Sequence, residues 1–250
     1  ADLNRRHVRF INHPADRIRE DYLRILRFFR FSTFYGDATR GFDADALDAI
    51  ARHVDGLATL SRERVGSEMI KLLTAPDPAP AIATMRTIGV LSAILPNADD
   101  RALGPLIHFE TELGLAPDPL RRLAVLGGQD AAAAFRLSKA QATRVTLLRD
   151  ALGTMTKLGE MAYRHGKDTA WSIAALRAAM FETPPLPNAA ADIDRGAAAR
   201  FPITAADLMP DVQGAELGHA LRRLETLWIG SDFALEKSAL LADHRSQERR

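Results

Sequence analysis

The chain has 250 residues, of which 47% are hydrophobic and 26% charged, with a formal net charge of +1 and no cysteine. These values exclude a long disordered tail, a uniformly basic nucleic-acid-binding coat and a disulfide framework, and the length allows one large domain or two smaller ones. We expect no signal peptide, and no apolar run of the sequence is long enough to span a bilayer. We therefore expect a protein of a reducing, cytoplasmic compartment that does not enter a membrane.

The first predicted elements are a short strand and a long helix. Residues 7–11, HVRFI, alternate polar and apolar side chains, which is typical of a strand. Residues 13–34 then repeat apolar side chains at steps of three and four, as in an amphipathic helix, and Pro14 suits its first position. The apolar stripe consists of Ile18, Tyr22, Ile25, Leu26 and Phe29.

The other side of this predicted helix is rich in charge. Residues 1–40 contain nine arginines and five acidic residues, an excess of four. Arg17, Asp21 and Arg24, followed by Arg27 or Phe28, recur at steps that make them neighbours on a helix surface. Asp21 and Arg24 either form a structural ion pair or, if held apart, present an acceptor and a fork of donors to a planar polar ligand.

Helical periodicity continues through the rest of the chain, and strand signals after residue 12 are nearly absent, so we predict an all-α fold. The tract TPPLPN at residues 183–188 is the best candidate for a linker. The predicted helices cover approximately 43–53, 61–73, 79–95 with a turn at Gly89, 101–113, 119–126, 138–152, 168–181, 217–230 and a last segment from 233.

Other chemical signatures are weak. The seven histidines are scattered without metal-binding spacing, and the chain has no phosphate-binding glycine loop. Asp43 and Asp45 form a DxD pattern that we interpret as acidic residues in the first turn of a helix rather than metal ligands. Asp192 and Asp194 repeat the pattern in an alanine-rich segment, so we predict no metal site in this chain.

Three segments resemble the class II tRNA nucleotidyltransferase/bacterial poly(A) polymerase family. Residues 8–34, VRFINHPADRIREDYLRILRFFRFSTF, are similar to the junction between that family's head and neck, and place its E-D-x-x-R motif on Glu20, Asp21 and Arg24. LSRERVGSEMIKLL at 60–73 is similar to the next family block. The segment from FPITAADLM to LWIGSDFALEKSALL, residues 201–241, is similar to the family's C-terminal region.

The resemblance implies an elongated neck, body and tail made of helices. It assigns residues 1–12 to the last strand of the head, 13–78 to a base-selecting neck, 79–188 to a helical body and 189–250 to a helical tail. It also implies a template-independent nucleotidyltransferase that uses ATP and CTP to add CMP and AMP to tRNA 3′ ends, or AMP to RNA 3′ ends. Family members of both kinds carry E-D-x-x-R, so the choice stays open.

The resemblance also implies roles for individual residues. Asp21 and Arg24 would read the incoming base, with Arg17 and Arg27 as further nucleotide-binding candidates. The supporting residues are expected to be Glu20, Arg30, Arg64 and Glu68. The alanine-rich helices after residue 79 would hold the RNA by shape and backbone contacts.

The family's head, with its catalytic carboxylates, is expected upstream of residue 1. We therefore expect no catalytic residue in this chain, Mg²⁺ binding only together with that head, and negligible nucleotide transfer by the chain alone. The competing hypothesis is a non-catalytic all-α interaction module in which Asp21 and Arg24 form a structural ion pair.

Overall fold

The computed structural model describes residues 6–209 and 211–248. These residues are mostly helical and contain no β-strand, only an isolated bridge between Ala98 and Gly127. The all-α prediction is confirmed. Within the described residues, no helix combines the length and the apolar character needed to cross a membrane.

The chain divides into two compact units. The described residues of Ala1–Thr154 and Ala175–Pro185 form the first unit, and those of Met155–Ala174 and Leu186–Arg250 form the second. The division of residues 13–250 into neck, body and tail stays a prediction.

The helices of the first unit are short and follow one another closely. They are α1 (Pro14–Glu20), α2 (Leu23–Tyr35), α3 (Ala44–Ala51), a 3₁₀-helix (Val54–Thr59), α4 (Arg62–Leu73), α5 (Ala79–Thr87), α6 (Val90–Ile94), α7 (Leu103–Glu112), α8 (Pro119–Leu126), α9 (Ala131–Ala134) and α10 (Lys139–Thr154). Helix α12 (Lys167–Phe181) belongs to the second unit up to residue 174 and to the first unit from residue 175.

Capping side chains and one glycine define several helix ends. Ser61 accepts a hydrogen bond from the Arg64 N–H at the start of α4, and Asp118 accepts from the first two N–H groups available in α8. Gly89 takes a left-handed conformation with φ 84°, which separates α5 from α6.

The core of the first unit contains four of the five residues of the apolar stripe predicted for residues 13–34, whereas Tyr22 is only partly buried. Ile18, Ile25, Leu26 and Phe29 are almost completely inaccessible to solvent. Helix α1 packs against α3, whereas α2 packs against α4. Burial of these side chains stabilises the arrangement by roughly 1.5–3 kcal/mol for each large apolar group.

The predicted strand at residues 7–11 is wrong. Residues 7–10 have no regular secondary structure, and residues 11–12 form a bend. A strand needs a hydrogen-bonded neighbour, and the described residues offer none here. Phe10 instead stacks on Phe28 with ring centroids 5.5 Å apart, so this segment is fixed by aromatic packing.

The second unit has its own apolar core. Its further helices are α11 (Leu158–His165), α13 (Ala189–Ala198), a 3₁₀-helix (Ala205–Asp207), α14 (Gly214–Gly230) and α15 (Lys237–Glu248). Trp228 lies in this core with Leu224 and Leu240. Helices α11 and α13 approach so closely that a Cβ on Gly196 would lie 1.9 Å from the Gly159 carbonyl oxygen.

Candidate nucleotide-binding site

The predicted helix over residues 13–34 is broken at Asp21. Helix α1 ends at Glu20 and α2 begins at Leu23. Asp21 lies between them in an extended conformation, with φ −158° and ψ 105°. Its Oδ1 accepts a hydrogen bond from the Leu23 N–H at 3.1 Å. A short acidic side chain can satisfy a free N–H at a helix start, and this local bond competes with helix continuation.

Asp21 and Arg24 do not pair with each other. Among the described residues, Arg64 is the ion-pair partner of Asp21, with its Nη2 3.0 Å from both carboxylate oxygens. The ion-pair partner of Arg24 is Glu20, whose Oε2 lies 2.6 Å from Nη1. The structural ion pair between Asp21 and Arg24, as proposed for an interaction module, is therefore wrong.

Arg24 also connects the two helices. The Nη1 atom that contacts Glu20 donates a second hydrogen bond to the Arg17 carbonyl oxygen in α1, at 2.9 Å. The last carbonyls of a helix lack partners within the helix, so a nearby arginine stabilises the end of α1. The break at Asp21 thus places a guanidinium from α2 directly over α1.

Glu20 is shared by two arginines. Its Oε2 lies 2.5 Å from Arg17 Nη1 and 2.6 Å from Arg24 Nη1. The hydrogen bond from Arg24 is the main cause that lowers the pKa of Glu20 below its ordinary value, and that from Arg17 adds to it, while partial desolvation opposes them. The carboxylate cancels one of the two positive charges, so the trio keeps a net positive charge.

One face of α4 contacts both parts of the site. Arg64 and Glu68 are four residues apart and therefore neighbours on this helix. Arg64 contacts Asp21, whereas Glu68, only 5% exposed, lies 2.6 Å from Arg30 Nε and 3.5 Å from Arg27 Nε. Helix α4 thus connects the Asp21 junction to the arginines of α2.

The two central side chains keep unused hydrogen-bonding capacity. The side chains of Asp21 and Arg24 are 25% and 28% exposed. Both hydrogen bonds of the Arg24 guanidinium leave from Nη1, so its Nε and Nη2 donate to no described residue. The Asp21 carboxylate accepts three hydrogen bonds, one from Leu23 and two from Arg64, and a carboxylate can accept about four.

A packing contact that the sequence does not reveal lies beside Asp21. The Tyr22 ring rests directly on the backbone of Gly56 in the 3₁₀-helix, where an added Cβ would lie 1.9 Å from Tyr22 Cε1. Only glycine leaves room for the ring in this position. Nothing in the spacing of the two residues predicts the contact.

The two DxD patterns lie in helical surroundings. Asp43 is the N-cap of α3, where it accepts from the Ala46 N–H at 2.9 Å, and Asp45 lies in the first turn, as interpreted from the sequence. Asp192 contacts Arg195, and Asp194 contacts Lys167. In the part of the chain that the structure describes, no three histidine, aspartate or glutamate side chains are grouped to hold a metal ion.

Several segments of the chain are similar to known proteins. Residues 41–101 match the model of a family described as "Probable RNA and SrmB- binding site of polymerase A". The mitochondrial CCA tRNA nucleotidyltransferase 1 of Mus musculus is 39% identical over 127 residues, which cover 50% of this chain and 29% of that protein. A Multifunctional CCA protein of Burkholderia ambifaria is 37% identical over 101 residues, 40% of this chain and 23% of that protein.

Solved structures show the same fold over nearly the whole chain. The CCA-adding enzyme of Bacillus stearothermophilus, in complex with CTP, superposes with a TM-score of 0.68 at 22% identity, covering 99% of this chain and 68% of that one. The Thermotoga maritima CCA-adding enzyme, complexed with tRNA, gives a TM-score of 0.64 at 14% identity and covers 98% of this chain and 65% of that one.

The matched segments are similar to parts of CCA-adding enzymes, and the all-α fold is that of solved CCA-adding enzymes. These similarities agree with the resemblance of the sequence to the class II CCA-adding enzyme/poly(A) polymerase family. The alignments of this chain span less than a third of the length of the curated relatives described above.

Proposed function

We propose that this chain is the RNA-binding and nucleotide-selecting portion of a template-independent RNA nucleotidyltransferase that adds CMP and AMP to tRNA 3′ ends. The observation that carries the proposal is the separation of Asp21 from Arg24. Asp21 lies in the junction between α1 and α2, and Arg24 lies in the first turn of α2. Each is held by another residue and keeps hydrogen-bonding capacity for a ligand.

This arrangement fits the Watson–Crick edges of cytosine and adenine. Both bases carry an exocyclic amine, which donates a hydrogen bond, next to a ring nitrogen, which accepts one. The remaining acceptor site of Asp21 suits the amine, and the Nε and Nη2 hydrogens of Arg24 suit the ring nitrogen or the cytosine carbonyl. Guanine and uracil present a carbonyl where Asp21 requires a donor.

The neighbouring residues support these two in different ways. Arg64 fixes the orientation of the Asp21 carboxylate, and Glu20 fixes that of Arg24. Arg17 and Arg27 keep 35% and 43% of their side chains exposed near the site, so both can approach the phosphates of a nucleotide. Arg30 and Glu68 are more buried and hold α2 on α4.

The relatives support tRNA and the two nucleotides as the substrates. The mouse protein is named a CCA tRNA nucleotidyltransferase, and solved relatives are described as complexes with CTP, with ATP and with tRNA. The arginine excess of the first 40 residues adds the positive charge that phosphates require.

The test measures equilibrium binding of CTP, ATP, UTP and GTP to the chain and to Asp21→Asn. We expect the chain to bind CTP and ATP more tightly than UTP and GTP. An asparagine amide can donate as well as accept, so Asp21→Asn should lose most of this preference. A change of one well-placed hydrogen bond corresponds to roughly a 10-fold change in relative affinity.

Asp45→Asn is the matched control, because Asp45 is an exposed acid in the first turn of α3. It should keep the binding of all four nucleotides unchanged. Equal binding of the four nucleotides by the unmodified chain, or an unchanged preference in Asp21→Asn, would contradict the proposal.

A second candidate function is the addition of AMP alone to RNA 3′ ends. It is favoured by the description of the matched family, which refers to polymerase A. The same titration separates the two, because an enzyme that adds only AMP has no need to bind CTP. Binding of both nucleotides with similar affinity favours CCA addition.

A further inference from the structure

Exposed aromatic rings are concentrated at one end of α2. Of the four exposed aromatic residues in the described part of the chain, three lie here: Phe31, Phe34 and Tyr35, with 40%, 36% and 61% of their surface accessible. The ring of Tyr35 lies 6.1 Å from that of Phe31 and 6.2 Å from that of Phe34, measured between centroids. Large apolar rings grouped in water are typical of a binding surface.

The rings continue the face of α2 that carries the nucleotide-binding candidates. Arg24, Arg27, Phe31 and Tyr35 are separated by three, four and four residues, so they follow one another along one side of the helix. At 1.5 Å per residue, Phe31 and Tyr35 lie about 10 and 16 Å from Arg24 along the axis. At that distance the rings can contact a second base while Asp21 and Arg24 contact the first.

The Phe31 ring is held in place by Arg30, which is itself paired with the buried Glu68. The guanidinium carbon of Arg30 lies 4.3 Å from the centroid of the Phe31 ring. The Nε of Arg30 lies in turn 2.6 Å from Glu68, whose carboxylate is buried against α2. A ring that is already fixed loses little conformational entropy on binding, which favours recognition of a flat ligand.

We propose that Phe31, Phe34 and Tyr35 form a stacking platform for the bases of single-stranded RNA, separate from the Asp21–Arg24 site. This inference rests on the proposed function, because it assigns a second contact to the same RNA. Bases stack on aromatic rings with little dependence on sequence, and nearby arginines attract the phosphates. The described residues 6–40 contain eight arginines and four acidic residues, and this charge favours RNA over a protein partner.

The test uses fluorescence anisotropy with a labelled single-stranded RNA oligonucleotide and a second one of equal length with abasic sites. The intact chain should bind the normal oligonucleotide more tightly than the abasic one. The Phe31→Ala/Tyr35→Ala double variant should weaken binding of the normal oligonucleotide about 10-fold or more, because stacking contributes roughly 1–3 kcal/mol per base. Its affinity for the abasic oligonucleotide should stay the same.

Two controls separate stacking from general effects. Phe181→Ala removes the fourth exposed aromatic residue, at the end of α12, and should leave both affinities unchanged. Tyr35→Phe keeps the ring and should keep the binding. If the double variant unfolds by circular dichroism, Tyr35→Ala alone serves as the test, since most of that ring is in solvent.

Three outcomes would overturn the platform. The normal and abasic oligonucleotides would bind equally well to the unmodified chain, or the double variant would bind like Phe181→Ala. In the third, the double variant would change the oligomeric state on size exclusion while RNA binding persists, which would assign the rings to a protein contact. If the unmodified chain binds neither oligonucleotide, the proposed RNA-binding function fails with the platform, whereas equal binding of both leaves that function standing.

Discussion

Two arginine–glutamate clusters in the first unit differ in their exposure to solvent. In the first cluster, Glu20 contacts Arg17 and Arg24, and all three side chains are between 28% and 49% exposed. In the second cluster, Glu110 in α7 contacts Arg121 and Arg122 in α8, and no side chain is more than 4% exposed. Arg121 Nε lies 2.8 Å from Glu110 Oε1, and Arg122 Nη2 lies 2.7 Å from Glu110 Oε2.

The clusters also differ in how many donors they use. All five N–H groups of Arg122 have acceptors, two on Glu110 and the others at the carbonyls of Leu73, Ala75 and Pro76. Arg24 uses two of its five N–H groups. A guanidinium whose donors are all satisfied in the interior holds the fold together, whereas one with free donors at the surface can bind a ligand. The buried cluster is therefore structural, whereas the exposed cluster of the same composition has the free donors that the proposed binding site requires.

The largest expected effect comes from breaking the buried cluster. Arg122→Ala removes the hydrogen bonds to the end of α4 and leaves Glu110 buried with one partner fewer. We expect a loss of about 3–5 kcal/mol in the free energy of unfolding, measured by urea denaturation. Arg24→Ala is the matched control in the exposed cluster, and its loss should stay within about 1 kcal/mol. Equal losses in the two variants would contradict the distinction.

A smaller effect is expected at the packing contact beside Asp21. In Gly56→Ala the new methyl group overlaps the Tyr22 ring, so the ring and the adjacent Asp21 must shift. We expect a destabilisation of about 1–3 kcal/mol and a reduced preference for CTP over UTP. Nucleotide titration and urea denaturation of the same sample measure both.

Gly104→Ala is the control for this substitution. Nothing lies within 4 Å of a Cβ at Gly104, which is inside α7, so alanine should be neutral or slightly stabilising there. If Gly56→Ala behaves like Gly104→Ala in both measurements, the Tyr22 contact does not position Asp21.

The smallest effect concerns the pH dependence of the exposed cluster. Hydrogen bonds from Arg24 and then Arg17 lower the pKa of Glu20 in the folded state. The stabilisation is therefore present above the ordinary pKa of 4.5 and is lost as the pH falls through the lower, folded value. Urea denaturation between about pH 3 and 7 should show that the free energy of unfolding falls less steeply with decreasing pH for Glu20→Gln than for the unmodified chain. An identical pH dependence would mean that these hydrogen bonds are not maintained in solution.

Local patterns in the sequence predict most of the fold. Helices α4 and α8 begin and end within one residue of their predicted limits, because apolar periodicity and capping residues lie within the segments themselves. The strand at residues 7–11 fails for the opposite reason. Alternation indicates a strand only where a neighbouring strand completes its hydrogen bonds, and the sequence does not specify that neighbour.

The candidate site is predictable in its residues but not in its geometry. The family motif identifies Asp21 and Arg24, and the second family block identifies Arg64 and Glu68. The break between α1 and α2 coincides with the hydrogen bond from the Leu23 N–H to Asp21 and with the contact between Tyr22 and Gly56. The helical periodicity of the sequence, in contrast, runs through this junction without interruption. The pairing of Asp21 with Arg64 joins residues 43 positions apart, which no spacing rule predicts.

The buried cluster gives no clear signal in the sequence. Arg121 and Arg122 are adjacent in a helix with an apolar face, and charged residues in such a position are ordinarily assigned to the surface. Glu110 ends up beside them because α7 and α8 pack together. Two consecutive arginines in the first turn of this helix, one residue after the helix-starting Asp118-Pro119, are the only local hint that this helix end is unusual.

The hydrogen bond between Asp21 Oδ1 and the Leu23 N–H makes that amide a natural spectroscopic probe. Its proton is held by the same carboxylate that we assign to the incoming base. A ligand that donates a hydrogen bond to the Asp21 carboxylate should change the chemical shift and the hydrogen-exchange rate of the Leu23 amide. The amides inside α2 are bonded to helix carbonyls, so their chemical shifts and exchange rates should stay nearly constant. A single resonance in an amide spectrum would then report occupancy of the site without any label on the nucleotide.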